Sequence, residues 1–283
     1  MTALQPVARS YWSLAADLAG TGSAGSADET IRRLRALDPH VGCLVSPADR
    51  PRPVVLPSYG GTCETLNLTP LLALLLHRYG VPVLVHGFAH DEPNCAATGT
   101  VLAQLGVIAS DMDDAQARLA HGALAYVSVD VLAPPLAELL SAGAASGARM
   151  LASLIDPFAS DSYRVVGAAC ANDLARIREF LAATRANALL LVGSDGEPFA
   201  DPRAPSALEH FADGVRSICA EAESMAPSEL PALLEAADAQ STAGWTERAL
   251  CGEVPVPLPL LAEIGCCLAG ARRSGADAAA TAA

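Results

Sequence analysis

The chain has 283 residues, of which 52% are hydrophobic and 17% are charged, so it is long and apolar enough to bury a full core. All 18 basic residues are arginine, 31 residues are acidic, and the formal net charge is -13. Because such a surface repels polyanions at long range, nucleic-acid binding would need a local arginine cluster. The composition therefore argues against a dedicated DNA-binding protein.

No apolar run reaches the roughly 18 residues of a membrane-spanning helix, and residues 1–12 do not have the pattern of a secretory signal. We therefore expect a cytoplasmic protein with no membrane partner. The eight cysteines form no CxxC pair, so reduced, mostly buried thiols are expected rather than disulfides or a zinc site. Cys266 and Cys267 fall in an apolar helix and are expected to be packing residues.

Residues 1–50 are predicted to form a reduced helical domain. One amphipathic helix is expected over residues 2–18, and the Gly/Ser/Ala-rich stretch at 20–29 is typical of a flexible linker. A second helix is expected to follow and to stop at Asp38 and Pro39. At the other end of the chain, residues 271–283 form a polar, alanine-rich tail that is expected to be disordered.

The stretch at 53–87 predicts a βαβ unit. Its parts are an apolar strand at 54–56, a small-residue loop at 57–65, a helix that begins near Thr69 and Pro70, and an apolar strand at 81–85. A loop that joins a strand end to a helix start is where anion-binding sites commonly form.

The rest of the chain repeats the alternation of strands and helices. Strands are predicted at 125–132, 163–168 and 188–192, helices at 98–105, 136–141, 173–182 and 259–269, and a helix or loop at 147–154. After the polar loop that follows the strand at 188–192, the chain is predicted to be mostly helical, with a hairpin-like crossing near 211–218. Nearly continuous apolar strands predict an α/β fold with a mostly parallel central sheet flanked by helices. Asp111, Asp113 and Asp114 are interpreted as the solvated start of a helix, with a metal site as the alternative.

Several separated motifs resemble the anthranilate phosphoribosyltransferase family, glycosyltransferase family 3, and in particular its YbiB-like paralogous branch. They are LPSYGGTCETLNLTPLLALLLHRYGVPVLVHG, RMLASLIDPF, SYRVVGAACANDLARIREFL, ALLLVGSDGEPFADPR and STAGWTERALCGE, which occur in this order. The resemblance implies that residues 51–270 form the larger α/β domain of that fold. It also implies a cleft that holds phosphoribosyl diphosphate and the acceptor.

The motifs depart from the enzymes at the residues that contact substrate. The diphosphate loop GTGGD is matched by Pro57, Ser58, Tyr59, Gly60 and Gly61, and the motif KHGNR by Val85, His86, Gly87, Phe88 and Ala89. Tyr59 places a ring where the backbone must approach phosphate. Each lost electrostatic contact costs about 10² to 10³ in rate, so ordinary anthranilate chemistry is not expected.

The resemblance assigns a set of ligand-binding or phosphate-binding candidates: Ser58, Gly60, Asn67, Thr69, His86 and Arg149. Thr69 is interpreted equally as a helix N-cap, and His86 as a structural residue at a strand end. Arg149 matches the arginine that faces the acceptor carboxylate, or it pairs with an acid such as Asp156. Glu197 is the remaining candidate for the magnesium-binding acidic pair, with Asp195 nearby.

Three functions remain open at this point. The first is a degenerate, non-catalytic paralogue that binds nucleic acid or a phosphorylated ligand in or beside the cleft, with Arg52, Arg78, Arg149 and Arg203 as the nucleic-acid candidates. The second is an active transferase that uses phosphoribosyl diphosphate with Mg²⁺ and an altered acceptor. The third is a scaffold without a small ligand. The short N-terminal region leaves the homodimer of the family open.

Overall fold

The structure is a computed structural model that describes residues 30, 32–33, 35, 40–60, 66–88, 96–141, 146–158, 161–224 and 238–272. Most of the predicted N-terminal helical domain, including the linker at 20–29, lies outside the described residues. So does the tail from residue 273 onward.

In the described part of the chain, seven strands form one sheet in the order β3-β2-β1-β4-β5-β6-β7. They are β1 (Val54–Ser58), β2 (Val83–Gly87), β3 (Leu124–Ser128), β4 (Tyr163–Ala168), β5 (Ala188–Val192), β6 (Leu208–Ala212) and β7 (Val215–Ala220). The first five strands pair in parallel, whereas β6 and β7 pair antiparallel at one edge. The prediction of a mostly parallel α/β sheet is confirmed.

Nine α-helices accompany this sheet within the described residues. They are α1 (Thr69–Arg78), α2 (Thr98–Gln104), α3 (Met112–Ala120), α4 (Val129–Leu132), α5 (Pro134–Ser141), α6 (Ser146–Ser153), α7 (Ala171–Ala183), α8 (Ala239–Leu250) and α9 (Leu258–Gly270). None of the helices in the described ranges is long and apolar enough to cross a membrane.

Residues of the parallel strands enter two different hydrophobic cores, one on each face of the sheet. Val54 and Leu56 pack in the core that α1 and α9 cover, whereas Val55 packs in the core of the opposite face. All three side chains are fully buried, and burying an aliphatic side chain of this size contributes about 1.5 to 3 kcal/mol. Burial on both faces explains why the parallel strands are continuous apolar runs rather than alternating ones.

One prediction about a strand is wrong. The strand predicted at 125–132 ends at Ser128, and Val129–Leu132 forms a short helix. The reason is that Ser128 pairs with Gly87, the last residue of β2, so no neighbouring strand remains to extend the ladder. The hairpin-like crossing predicted near 211–218 is present as the antiparallel pair of β6 and β7.

The prediction about the cysteines is wrong in two respects. Cys219 of β7 and Cys266 of α9 form a disulfide, with 6.2 Å between their Cα atoms. Cys43, Cys170 and Cys251 are free but exposed. The disulfide joins residues 47 apart in sequence, and only the packing of α9 against β7 brings them together. Cys267 is buried and free, as expected of a packing residue.

The acidic patch at the start of α3 is a helix N-terminus, as interpreted. The Asp111 carboxylate accepts a hydrogen bond from the Asp114 backbone N–H at 2.8 Å, which is the geometry of an N-cap. Hydrogen bonds from Ser110 and Arg118 lower the pKa of Asp114. Among the residues that the structure describes, no group of three His, Cys, Asp or Glu side chains converges on a possible metal position.

Candidate functional site

The candidate site lies where β1 and β4 separate at the carboxyl edge of the sheet. From β1 the chain continues to β2 and β3 on one side, and from β4 it continues to β5 on the other. β1 pairs with β2 over five positions but with β4 over two, Val54 with Tyr163 and Val55 with Arg164. Ligands of open α/β sheets bind at such a switch point.

Glu197, which follows β5, occupies this position. Its side chain is fully buried. One carboxylate oxygen accepts hydrogen bonds from the Ser58 hydroxyl at 2.5 Å and the Thr69 hydroxyl at 3.0 Å. The other accepts from the Gly60 backbone N–H at 2.7 Å. Donors from the end of β1, from the loop after it and from the first turn of α1 thus converge on one carboxylate, and the dipole of α1 also favours a negative charge there.

A further set of polar side chains orients these donors. The Ser58 hydroxyl lies 2.6 Å from the Thr98 hydroxyl, and the Asn67 amide donates to the Thr98 hydroxyl at 2.8 Å. Because Ser58 has one proton and gives it to Glu197, Thr98 must donate to Ser58. The result is a chain of hydrogen bonds from Asn67 through Thr98 and Ser58 to the carboxylate, in which each bond strengthens the next.

Glycines hold the Glu197 backbone close against the sheet. A Cβ atom on Gly193 would lie 1.9 Å from the Glu197 carbonyl oxygen, and one on Gly167 would lie 2.2 Å from it. The turn also requires left-handed backbone at Asp195, with a φ of 52°, and at Gly196, with a φ of 80°. No residue larger than glycine fits at 167 or 193 without moving the turn.

A second cluster of side chains lies beside Glu197, around Tyr59. The Tyr59 ring is 3% exposed, and its hydroxyl lies 2.7 Å from Nδ1 of His86. The Phe88 ring meets the Tyr59 ring edge-on, with centroids 5.6 Å apart. The Arg149 guanidinium lies 5.7 Å from the Phe88 centroid and donates to the Gly60 carbonyl at 2.9 Å. The aromatic rings and the arginine therefore form one packed group next to Gly60.

Burial keeps both titratable members of the aromatic cluster neutral. It lowers the pKa of His86 to about 3 and raises the pKa of Tyr59 well above its ordinary value. Nε2 of His86 finds no hydrogen-bond partner among the described residues. A neutral, buried imidazole supplies no positive charge for a diphosphate.

The predicted ligand residues divide between these two clusters. Ser58, Gly60, Asn67 and Thr69 lie together around Glu197, whereas His86 packs with Tyr59 and Arg149 contacts both clusters. Thr69 is not the N-cap of α1, because Leu68 occupies that position, and the Thr69 hydroxyl contacts an anion within the chain. Thr98 was not predicted as a site residue. Its position gave a signal, because Thr98 begins the helix after β2 just as Thr69 begins the helix after β1.

The donor set does not fit the magnesium and diphosphate that the fold implies. Mg²⁺ needs several converging oxygen ligands, but both oxygens of Glu197 face hydroxyl or amide donors. The nearby Asp195 is exposed and lies on the strained turn. Val85 and Phe88 stand where the enzyme motif has lysine and asparagine.

The arginines proposed for nucleic acid do not form one group. Arg52 precedes β1 and lies 3.5 Å from Asp161, and Arg78 ends α1. Arg203 follows β5 and forms an ion pair with Asp201 at 3.2 Å. The four candidates divide between the two edges of the sheet, with Arg52 and Arg78 at the amino edge and Arg149 and Arg203 at the carboxyl edge.

Comparison with known proteins gives one curated relative and a set of solved structures. The chain is 35% identical over 247 residues to the uncharacterized protein YbiB of Escherichia coli (strain K12), in a match that covers 85% of this chain and 76% of YbiB. No family model matches the chain.

The solved structures are anthranilate phosphoribosyltransferases. The Thermus thermophilus protein has a TM-score of 0.68 at 18% identity, over 97% of this chain and 88% of that one. The Saccharomyces cerevisiae protein in complex with PRPP and Mg has a TM-score of 0.61 at 14% identity, over 93% of this chain and 71% of that one. At these identities the likeness establishes a shared fold.

Proposed function

Because the chain belongs to the YbiB-like family and has the fold of the anthranilate phosphoribosyltransferases, we propose that it is a non-catalytic paralogue of those enzymes. It does not bind or transfer phosphoribosyl diphosphate, and its ligand, a nucleic acid or another phosphorylated molecule, binds beside the closed cleft. The observation that carries this proposal is the burial of Tyr59 in the cleft.

Tyr59 corresponds to the third residue of the diphosphate loop, where the enzymes have glycine. Its ring packs edge-on against His86 and Phe88, and its hydroxyl bonds to the imidazole. A diphosphate that approached this backbone would have to displace a buried aromatic side chain together with its hydrogen bond. Truncation of a well-packed aromatic side chain typically costs about 3 to 5 kcal/mol, so the ring is a stable obstruction.

The charges of the cleft support the same proposal. Phosphoribosyl transfer depends on electrostatic stabilisation of the departing diphosphate. Here Val85 replaces the lysine of the enzyme motif, His86 is neutral, and Arg149 is held by the Gly60 carbonyl and the Phe88 ring. The alternative of an active transferase with a changed acceptor has no comparable observation in its favour.

Binding of phosphoribosyl diphosphate is tested by a calorimetric titration of the full chain with millimolar phosphoribosyl diphosphate and Mg²⁺, paired with a thermal melt. We expect no heat of binding and no rise in Tm. A ligand at 100 times its Kd stabilises a protein by about 2.7 kcal/mol, which a melt resolves readily. A saturable rise in Tm would refute the proposal, and an active enzyme of the same fold provides the positive control.

Nucleic-acid binding is the ligand class that the family resemblance implies, and we place it at the carboxyl edge. Arg149 and Arg203 share that edge, and the Arg203 side chain is 49% exposed. The net charge of -13 opposes such binding at long range, so only a short-range contact at low salt is expected.

Fluorescence anisotropy with labelled single-stranded and duplex DNA over a salt series tests this placement. We expect binding at about 50 mM salt that weakens as salt rises. Arg203→Ala is expected to weaken binding, whereas Arg78→Ala, a substitution at the opposite edge, is the matched control and should leave it unchanged. No binding at about 50 mM salt would exclude nucleic acid as the ligand.

A further inference from the structure

We propose that Ser58, Gly60 and Thr69 form a pocket for a small carboxylate anion, and that the chain fills this pocket permanently with its own Glu197 side chain. The inference rests on the proposed function, in which the cleft does not take phosphoribosyl diphosphate. In place of phosphoribosyl diphosphate, the three hydrogen-bond donors hold the Glu197 carboxylate.

Three hydrogen-bond donors converge on the Glu197 carboxylate. Two hydroxyls and one backbone N–H lie 2.5 to 3.0 Å from its oxygens. They belong to segments 137, 139 and 128 residues away from Glu197 in sequence. Such convergence on two oxygens defines a binding site for a planar anion, because each donor addresses a particular oxygen.

The Glu197 carboxylate is held in this position by burial and by the backbone that carries it. The side chain is fully buried, and the turn that carries it is in tight contact with Gly167 and Gly193. A tethered group also acts at a high effective concentration compared with a free anion. Free anions are therefore excluded from the wild-type pocket.

The chemical class of the occupant follows from the side chain itself. Glu197→Ala keeps the β-carbon and removes the γ-CH₂ group and the carboxylate. Acetate consists of one methyl group and one carboxylate, so it replaces these two groups. Acetate therefore matches the vacated volume and can accept from Ser58, Gly60 and Thr69 in the same way. Chloride has no pair of oxygens to receive donors in these directions.

The experiment is a thermal melt of Glu197→Ala in about 100 mM sodium acetate and, at equal ionic strength, in sodium chloride at pH 7. We expect acetate to raise the Tm of the variant by about 3 °C or more and to leave the wild-type Tm unchanged. The matched control is Glu263→Ala, because Glu263 is also fully buried but accepts from a single backbone N–H, that of Ala200.

Equal effects of acetate on Glu197→Ala and Glu263→Ala would overturn the inference, as would an effect on the wild type. If Glu197→Ala does not fold in chloride, the inference predicts that acetate restores the folded protein, and failure to do so would also overturn it. These outcomes are independent of the titration with phosphoribosyl diphosphate, which uses only the wild-type chain. Binding of phosphoribosyl diphosphate would refute the proposed function, whereas absence of acetate rescue would refute only the built-in ligand.

Discussion

The Ser58 hydroxyl donates a 2.5 Å hydrogen bond to the carboxylate of Glu197, a residue 139 positions further along the chain. This contact fastens the end of β1 to the turn that follows β5, across the gap between β1 and β4. Ser58 also accepts from Thr98, so its loss disturbs bonds on both sides.

Replacement of Ser58 by alanine removes a single oxygen atom, but it should lower the free energy of unfolding strongly. The substitution leaves the buried Glu197 carboxylate with one donor fewer and the Thr98 hydroxyl without this acceptor, and each such loss costs about 1 to 3 kcal/mol. Urea unfolding followed by circular dichroism measures the effect. The control is Ser153→Ala, because Ser153 is also buried but, among the described residues, its hydroxyl donates to the local Met150 carbonyl at 2.7 Å and not to a distant segment. Equal losses in the two variants would contradict the role of Ser58.

The glycine at 193 should not tolerate a methyl group. Its Cβ would lie 1.9 Å from the Glu197 carbonyl oxygen, so Gly193→Ala must displace the turn and loosen the carboxylate from its donors. We expect a loss of about 2 kcal/mol or more in the free energy of unfolding.

Gly244→Ala provides the opposite control. Gly244 lies inside α8, and a Cβ there would meet no atom within 4 Å. Alanine should stabilise the helix by about 0.5 to 1 kcal/mol. A stabilising or neutral effect of Gly193→Ala would show that the turn is not held as described.

His86 should remain neutral throughout the physiological pH range. Burial lowers its pKa to about 3 in the folded chain, against about 6.5 in an unfolded one. The folded state thus binds fewer protons between these values, so this residue's contribution to stability is present above about pH 6.5 and is lost as the pH falls toward 3. The His86 ring signals in a histidine-edited NMR spectrum should not titrate between pH 5 and 8, but should titrate normally in urea. A folded-state midpoint near 6.5 would contradict the burial.

Glu263 should make stability fall as the pH rises. Burial raises its pKa to about 8, above the roughly 4.3 of an unfolded glutamate. Between about pH 4 and pH 8 the unfolded glutamate is ionised whereas the buried one keeps its proton, so the free energy of unfolding falls progressively over this range.

Glu263→Gln should match the wild type near pH 4 and exceed its free energy of unfolding near pH 8, by an amount on the order of a few kcal/mol. The substituted amide keeps an oxygen for the Ala200 N–H, so packing is largely preserved. Urea melts at several pH values give this difference directly. A difference that does not change with pH would mean that Glu263 is not the group that titrates.

The sequence by itself determined the general fold. Apolar runs at 54–56, 163–168 and 188–192 predicted buried parallel strands, because a strand covered on both faces has no polar side to alternate with. Ser58, Gly60, Asn67 and Thr69 lie close together in the structure, and their role in binding a ligand stays a prediction. The strand predictions succeeded because the run of apolar residues that marks a buried strand is a local property of the chain.

Only the tertiary structure decided what the site contains. The bond from Ser58 to Glu197 and the disulfide between Cys219 and Cys266 join residues that are distant in sequence, and no local pattern specifies such pairs. Sequence comparison showed that the glycine of the diphosphate loop had become Tyr59, but it could not show that the ring turns inward against His86. The motif residues predicted an anion site, and the tertiary structure places the Glu197 carboxylate of the chain itself among the donors of Ser58, Gly60 and Thr69.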